Sequence, residues 1–212
     1  MNMKSLTFSA AAVAAAITLS GCGGGSGSGT TSSSPASASA QSTSTTAAAA
    51  EEHNAADTMF AQTMIPHHAQ AVEMSDVMLA KKDIPADVTA LAQRIKAAQA
   101  PEIETMSGWL KRWKEPSEAA PAHDMSSHSS GMGTGMDGMM SDTDMKKLDA
   151  AQGTAAAKLF LTQMMAHHQG AIMMAKTEES SGQNPNALAL AKAIVTAQQK
   201  EIQEMKDLLA SL

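Results

Sequence analysis

Two segments of the chain each place a pair of adjacent histidines among methionines. MIPHHAQAVEM spans residues 64–74, and MMAHHQGAIMM spans residues 164–174. Imidazole is a borderline metal ligand and thioether a soft one, so together they suit Cu(I), and silver by analogy, better than Mg²⁺ or Ca²⁺. Zinc is an alternative through histidine, although zinc sites rarely use methionine. The pattern therefore predicts a site for a thiophilic metal ion.

Helical spacing gathers most of these side chains on one narrow stripe of each segment. Two equivalent half-buried imidazoles cost desolvation free energy unless each has a partner, which favours a ligand role for His67 and His167. For the methionines, and for histidines at the polar edge of a core, simple packing is the alternative. His68 and His168 point about 100° away, toward water or toward a second site. The candidate ligands are Met64, His67, His68, Met74, Met78, Met164, His167, His168 and Met174.

One carboxylate follows each histidine pair on the next predicted helix, in the pattern Gln-x-x-Glu-Ile-x-x-Met. Glu102 and Glu201 occupy this position. One carboxylate per repeat, without a Glu-x-x-His motif, is too few for a di-iron cage. Each glutamate either accepts a hydrogen bond from a histidine N–H and so orients the ring, or lies on the solvated face. The sequence alone does not decide between these two alternatives.

Residues 116–141 contain prolines and glycines but no apolar period, which predicts a loop. A disordered segment gains nothing from methionine through packing, whereas a flexible chain can wrap several thioethers around Cu(I). We therefore predict low-specificity metal capture by this loop, with low-complexity drift as the alternative. Its candidate ligands are His123, Met125, His128, Met132, Met136, Met139 and Met140.

The remaining apolar residues recur with a helical period, and no alternating strand pattern is present. We predict helices over about 54–80 and 87–114, from Ser141 or Thr143 to about 179, and over about 186–209. The histidine segments match at an offset of 100 residues and the helices after them at an offset of 99. A duplicated helix hairpin predicts an all-α four-helix bundle. Its parts are a first repeat, the Met/His-rich loop and a second repeat, at residues 51–115, 116–141 and 142–212.

The N-terminal segment is typical of an exported protein. A lysine precedes a short apolar run that ends in Leu-Ser-Gly-Cys, which resembles the lipobox of bacterial lipoproteins. We predict a signal peptide over residues 1–21, a lipid on Cys22, and a flexible linker over residues 22–50. Lipid on Cys22 would hold the chain on the bacterial cell envelope, facing the periplasm or the exterior. Since this is the only cysteine, no disulfide is expected.

Composition argues against several functional classes. A net charge of −6 gives no basic stripe for nucleic acid, and 2% aromatic residues give few stacking surfaces for bases or sugars. No nucleophile–base pair, phosphate loop or cofactor motif stands out, so we expect a binding protein and not an enzyme. Methionine, with 18 residues, is the outlier in the composition.

The paired HH motifs, each followed by Gln-x-x-Glu-Ile-x-x-Met, resemble the bacterial family called domain of unknown function 305, over about residues 54–210. The resemblance implies a ferritin-like four-helix fold, frequent export and, in some members, copper binding by the paired histidines and their methionines. The family often has an aspartate three residues before the phenylalanine of each repeat. Asp57 keeps it, whereas Ala157 replaces it in the second repeat. If this aspartate orients or binds the metal, the second half-site is altered.

These patterns together predict an envelope protein that binds copper, chiefly Cu(I), for sequestration or delivery in copper tolerance. Asp57, Glu102 and Glu201 are candidates for orienting the ligands. The expected partners are the metal ion, the membrane through Cys22, and a copper-transport or efflux protein. Two alternatives stay open: a metal-dependent redox enzyme in a ferritin-like bundle, and a methionine-rich module for protein interaction.

Overall fold

The computed structural model describes residues 52–118 and 137–212. This part of the chain contains five helices and no strand, so the all-α prediction is confirmed. The helices are α1 (Ala55–Leu79), α2 (Ala86–Trp113), α3 (Asp142–Ala150), α4 (Gly153–Ser181) and α5 (Pro185–Ser211). The predicted signal peptide, Cys22 and the linker lie outside the described residues, as do the loop candidates His123, Met125, His128, Met132 and Met136.

Local capping signals fix the ends of the first hairpin. The Asn54 side chain accepts hydrogen bonds from the N–H groups of Ala56 and Asp57, and the Asp57 carboxylate accepts one from the Asn54 N–H at 2.7 Å. This reciprocal capping box starts α1. At the end of α2, Lys114 adopts a left-handed conformation with φ 63°, which stops the helix and turns Glu115 back toward it.

The prediction of a single third helix was wrong. The chain forms the short α3 after Ser141, which caps it by accepting a hydrogen bond from the Asp144 N–H. Ala151 and Gln152 are then extended, and Gly153 has φ +53° before α4 continues. Glycine adopts this backbone conformation at low cost, so the break occurs there. The apolar residues keep a helical period on both sides of this break, so the sequence pattern did not reveal it.

The two hairpins pack with α1 antiparallel to α4. Near the start of α1, the Asn54 amide donates to the carbonyl of Ser181 at the end of α4. Near the end of α1, the Lys81 ammonium donates to the carbonyl of Asp149, just before α4 begins. An ion pair between Arg94 of α2 and Glu204 joins the outer helices. Four long helices thus form the predicted bundle, and α3 is an addition to it.

Two apolar clusters fill the bundle, one on each side of the histidines. The first core cluster contains Phe60, Ala61, Met64, Met106, Trp109, Leu110, Trp113, Ala171, Ala175, Ala187, Ala191 and Ile194. The second core cluster includes Ala71, Met74, Met78, Val88, Leu91, Ile95, Ala157, Phe160, Leu161, Met164 and Met205. Along α1 the first cluster ends at Met64 and the second begins at Ala71, so His67 and His68 lie between them. Within the described residues, no helix has both the length and the hydropathy needed to cross a membrane.

Candidate metal centre

His67 of α1 faces His167 of α4 in the interior of the bundle. Their ring centroids are 3.8 Å apart, the ring planes are tilted by 40°, and neither side chain is exposed. One turn further along each helix, Ala71 and Ala171 are fully buried and leave room for the two helices to approach. Residues one hundred positions apart therefore form one imidazole pair, which we call the His67–His167 pair.

The His67–His167 pair has more nitrogen atoms than hydrogen-bond partners. The Nε2 of His67 lies 3.3 Å from the carbonyl of Asp137, a long contact in which the ring N–H donates. The Nδ1 of His67 and both ring nitrogens of His167 have no hydrogen-bond partner of good geometry among the described residues. A buried polar atom without a partner costs about 1–3 kcal/mol. One nitrogen of the neutral His167 ring carries a proton, so His67 and His167 each have one lone pair that a metal ion could take up.

Burial keeps both rings of the pair neutral. Loss of solvation, and then repulsion from His68, lower the pKa of His67 to about 3. Loss of solvation, and then repulsion from His67, lower the pKa of His167 to about 2, against a small opposite effect of the His67 backbone. Since only the neutral ring can donate a lone pair to a metal, both imidazoles are ready ligands across the physiological pH range.

His68 and His168 are also fully buried, so neither faces water. The Nε2–H of His68 donates to Glu102 at 2.7 Å, and that of His168 donates to Glu201 at 2.6 Å. The Nδ1 atoms of both rings have no partner among the described residues. The sequence left open whether each glutamate orients a histidine or lies on the solvated face. In the structure, both accept a hydrogen bond from a histidine N–H. A carboxylate on one nitrogen fixes the tautomer and raises the basicity of the other nitrogen.

Methionine thioethers lie on both sides of the His67–His167 pair. Because α1 and α4 are antiparallel, Met64 shares the first core cluster with the half-buried Met174, and Met164 shares the second with Met74 and Met78. Met64 and Met164 each precede a histidine of the pair by one helical turn, which places their side chains next to it. The two stripes predicted from the sequence therefore face each other in antiparallel orientation.

Two further methionines were missed as candidates. Met106 of α2 belongs to the first core cluster with Met64, and Met205 of α5 belongs to the second with Met164. Both are fully buried. The signal was in the repeat, since the two residues match at the offset of 99 and end the Gln-x-x-Glu-Ile-x-x-Met pattern. Each half of the bundle thus adds a thioether from its second helix.

Histidine and carboxylate side chains alone do not make a complete metal site in the described part of the chain. In residues 52–118 and 137–212, no three side chains of His, Cys, Asp or Glu lie close enough together to hold one metal ion. Two imidazoles face one another, and the nearby donors that can supplement them are thioethers. The arrangement suits a soft ion better than an ion that needs several oxygen ligands.

A short segment near the end of the predicted loop covers the His67–His167 pair. We call Asp137–Met140 the strap. Its Asp137 carbonyl contacts His67, and both the N–H and the carbonyl of Met140 bond to the amide of Gln70, at 2.7 and 2.9 Å. A Cβ on Gly170 would lie 1.9 Å from the Asp137 carbonyl oxygen, so only glycine lets the strap approach α4 here. Sequence reasoning missed this role of the glycine in HHQG.

The strap changes the interpretation of two loop candidates. Met139 is partly buried, and Met140 packs against the second core cluster while its backbone is held by Gln70. The prediction of an unpacked loop up to residue 141 was therefore wrong for these last residues. They gain stability from packing, which an isolated reading of the loop composition does not suggest.

Asp57 lies away from the histidines. It is ten residues before His67 on α1, a distance of about 15 Å along the helix axis. Its carboxylate accepts hydrogen bonds from the N–H groups of Gln183 and Asn184 in the α4–α5 turn, at 3.1 and 2.9 Å. The structure thus gives Asp57 a role in joining the two hairpins, and does not place it where it could orient the metal ligands. Ala157, its counterpart, is buried in the second core cluster.

The family model described as "Domain of unknown function (DUF305)" matches residues 57–209. The chain belongs to the DUF305 family. The family assignment from the HH motifs is therefore confirmed. A comparison with curated proteins gives no match.

Solved structures of DUF305 proteins share the fold. A Streptomyces coelicolor DUF305 protein described as secreted is 37% identical, with a TM-score of 0.64 over 74% of this chain and 91% of the other. A DUF305 fragment from Deinococcus radiodurans is 29% identical, with a TM-score of 0.64 over 75% and 98%. CopM in a Cu(II)-bound form is 30% identical, with a TM-score of 0.60 over 73% and 96%. CopM structures with Cu(I) and with silver are similar to this chain as well.

Proposed function

We propose that this DUF305 protein binds copper, chiefly as Cu(I), between His67 and His167, and holds it for sequestration or delivery in copper tolerance. Copper is the cargo of the protein in this proposal, and silver is a second ion of the same class. We propose binding without turnover, because the described residues offer ligands but no arrangement of nucleophile and base.

The observation that carries the proposal is the buried His67–His167 pair with three unpartnered ring nitrogens. An apolar pair of the same size would avoid the cost of burying these atoms without partners. A soft cation removes that cost, and the adjacent thioethers provide further ligands that discriminate against Mg²⁺ and Ca²⁺. The similarity to CopM structures with Cu(I), Cu(II) and silver supports the choice of ion.

Burial of the site favours a singly charged ion over a doubly charged one. Both rings of the His67–His167 pair are neutral, so the ion brings its own charge into a buried site. Glu102 and Glu201, which hydrogen-bond the neighbouring His68 and His168, supply negative charge from behind those rings. A monovalent cation has a smaller desolvation cost than a divalent one in the same place. These carboxylates also fix the tautomers of His68 and His168, whose Nδ1 atoms have no partner among the described residues.

Location in the bacterial cell envelope is part of the proposal. The similarity to a protein described as secreted supports an extracytoplasmic position. The Leu-Ser-Gly-Cys sequence supports a lipid on Cys22 and, through it, attachment to a membrane with the bundle facing the periplasm or the exterior. A copper-transport or efflux protein is the partner to which such a carrier would pass its ion.

The test is an equilibrium titration of the full chain with Cu(I) under reducing conditions. The variant His67→Gln plus His167→Gln keeps polar side chains of similar size but removes both imidazoles. We expect it to bind at least one ion fewer than the wild type, with helicity unchanged by circular dichroism. A second variant, with residues 119–136 replaced by a Gly/Ser linker, leaves the strap in place and removes the five loop candidates that precede it.

The matched control is His123→Gln plus His128→Gln, which removes two histidines outside the described helices. It should retain the ion that the His67–His167 pair holds. The proposal fails if the wild type and the His67→Gln plus His167→Gln variant bind the same number of ions with equal affinity. It also fails if the linker replacement abolishes all binding, because the loop would then be the whole site.

A further inference from the structure

A second group of metal-binding atoms lies at the surface, where α1 begins and α2 ends. A cavity of about 320 Å³ is lined by residues that include His53, Met59, Gln62 and Glu115. None of these residues belongs to the His67–His167 pair or its thioethers. Three kinds of metal ligand, an imidazole, a thioether and a carboxylate, therefore share one solvent-accessible cavity.

Met59 is the residue that packing does not explain. Its side chain is 62% exposed, although it stands on a helix whose other three methionines are buried. Leaving a large apolar side chain in water forgoes roughly 1.5–3 kcal/mol of burial. A single exposed methionine needs no explanation by itself, but this one lines the same cavity as His53 and Glu115.

The other two ligands are held in place by the fold. The His53 ring stacks on Trp113 with centroids 4.5 Å apart and planes within 5°, and its Nε2 is 3.5 Å from Glu115. The left-handed Lys114 turns the chain so that Glu115 returns to α1, and Gln62 donates to the Pro116 carbonyl at 2.9 Å to keep it there. The last carbonyl groups of α2 add negative potential next to the cavity. His53 and Glu115 are therefore ordered before any ion arrives.

We propose that His53, Met59 and Glu115 form a surface site for Cu(II), separate from the buried pair. Imidazole and carboxylate suit Cu(II), and a thioether is a familiar weak third ligand for copper. Such a site would concentrate copper at the protein surface, outside the apolar clusters. It rests on the proposed function only in the choice of ion, because its ligands lie on other residues.

The two tryptophans provide a local readout. Trp109 and Trp113 are the only tryptophans in the chain, they stack with centroids 5.8 Å apart, and Trp113 also stacks on His53. Cu(II) bound to His53 would lie close enough to quench their fluorescence. The test is therefore a titration of the full chain with Cu(II), followed by tryptophan emission. The spectrum of each metal-free variant is its own reference.

The informative variants are His53→Gln and Met59→Leu. Loss of a residue that only orients a ligand typically weakens affinity 10–100-fold, so removal of the ligand itself in His53→Gln should weaken the quenching transition by at least about tenfold. Met59→Leu should weaken it by a smaller factor, and its matched control is Met173→Leu, at the other large apolar side chain that is strongly exposed (53%) among the described residues. The control should titrate as the wild type does.

The outcomes separate the surface site from the buried one. His67→Gln plus His167→Gln should leave the quenching transition unchanged, even if it loses the Cu(I) ion. Electron paramagnetic resonance of the bound Cu(II) should show nitrogen coordination that is lost in His53→Gln. Unchanged quenching in His53→Gln overturns the proposal. Quenching that disappears only in His123→Gln plus His128→Gln overturns it too, since those histidines would then bind the ion.

Discussion

The rings of His67 and His167 lie with centroids 3.8 Å apart, although the residues are one hundred positions apart in the chain. Such proximity is possible because neither ring is protonated, and burial is the main cause of that neutrality. The same burial leaves three ring nitrogens without partners. A metal ion bound there would therefore not have to displace a proton from either ring.

Binding to the His67–His167 pair should therefore depend little on pH. The pKa values of about 3 and about 2 mean that protons do not compete for these rings above roughly pH 4. An ordinary imidazole with a pKa of about 6.5 would lose about 30-fold in affinity between high pH and pH 5. Silver titrations of the 119–136 linker variant at pH 7.5 and pH 5 should give nearly equal affinities. A loss of about 30-fold or more would contradict the neutral pair.

The glutamates behind His68 and His168 should tune affinity without being ligands. Glu102→Gln plus Glu201→Gln removes the charge that polarises each ring, and loss of such partners typically weakens metal binding 10–100-fold. Titration with Cu(I) measures the change. Glu104→Gln, at an exposed position on the same helix as Glu102, is the matched control and should bind as the wild type does. Equal Cu(I) affinities in the wild type and both variants would show that Glu102 and Glu201 do not contribute to metal binding.

Gly170→Ala should displace the strap. A Cβ there would meet the Asp137 carbonyl at 1.9 Å, backbone against backbone, so the strap or α4 must shift. We expect a loss of about 1–3 kcal/mol in the free energy of unfolding, as for other overpacked sites. Silver should also dissociate faster, because the cover over His67 is displaced.

The control is Gly108→Ala, where a Cβ meets only the flexible end of Arg112 at 3.4 Å. Since alanine has the higher helix propensity, this variant should be as stable as the wild type or more stable. Thermal unfolding and stopped-flow silver exchange report both quantities. A Gly170→Ala protein that melts no lower than the wild type would show that the strap does not pack on α4.

Glu178 should make stability fall as the pH rises. Burial, and then the neighbouring Asp57 carboxyl, raise its pKa to about 8, while Asp57 stays ionised because its hydrogen bonds outweigh its own burial and lower its pKa. The folded protein therefore keeps a proton on Glu178 that the unfolded chain, with a pKa of 4.5, releases. This stabilisation is fully present below pH 4.5 and is lost as the pH rises through about 8.

Glu178→Gln should remove that dependence, because glutamine stays neutral at every pH. Urea unfolding of the wild type and the variant between pH 5 and pH 9 should show the difference growing in favour of the variant above about pH 5. Acid destabilisation from the His67–His167 pair is common to both proteins and cancels in the comparison. Glu179→Gln, at the exposed neighbour, should follow the wild type. Parallel stability curves for Glu178→Gln and the wild type would refute the retention of a proton on Glu178.

The long helices and their hairpin pairing were predictable because their signals are local and doubled. A period of 3.6 residues marks each apolar stripe, and the repeat at offsets of 100 and 99 shows that one hairpin was used twice. The break before Gly153 was not predictable, because a glycine can continue a helix or leave it, and neighbouring contacts decide which. The same holds for Gly170, whose missing side chain matters only because Asp137 approaches it.

The sequence by itself determined the kinds of ligand and their spacing: imidazole and thioether, placed by helical periodicity on one face of each of two helices. Only the tertiary structure decided that His67 meets His167, that His68 and His168 turn to Glu102 and Glu201, and that Asp57 joins the hairpins instead. The reason is physical. Periodicity fixes the direction of a side chain relative to its own helix, whereas burial, distance and protonation depend on which other helix packs against it.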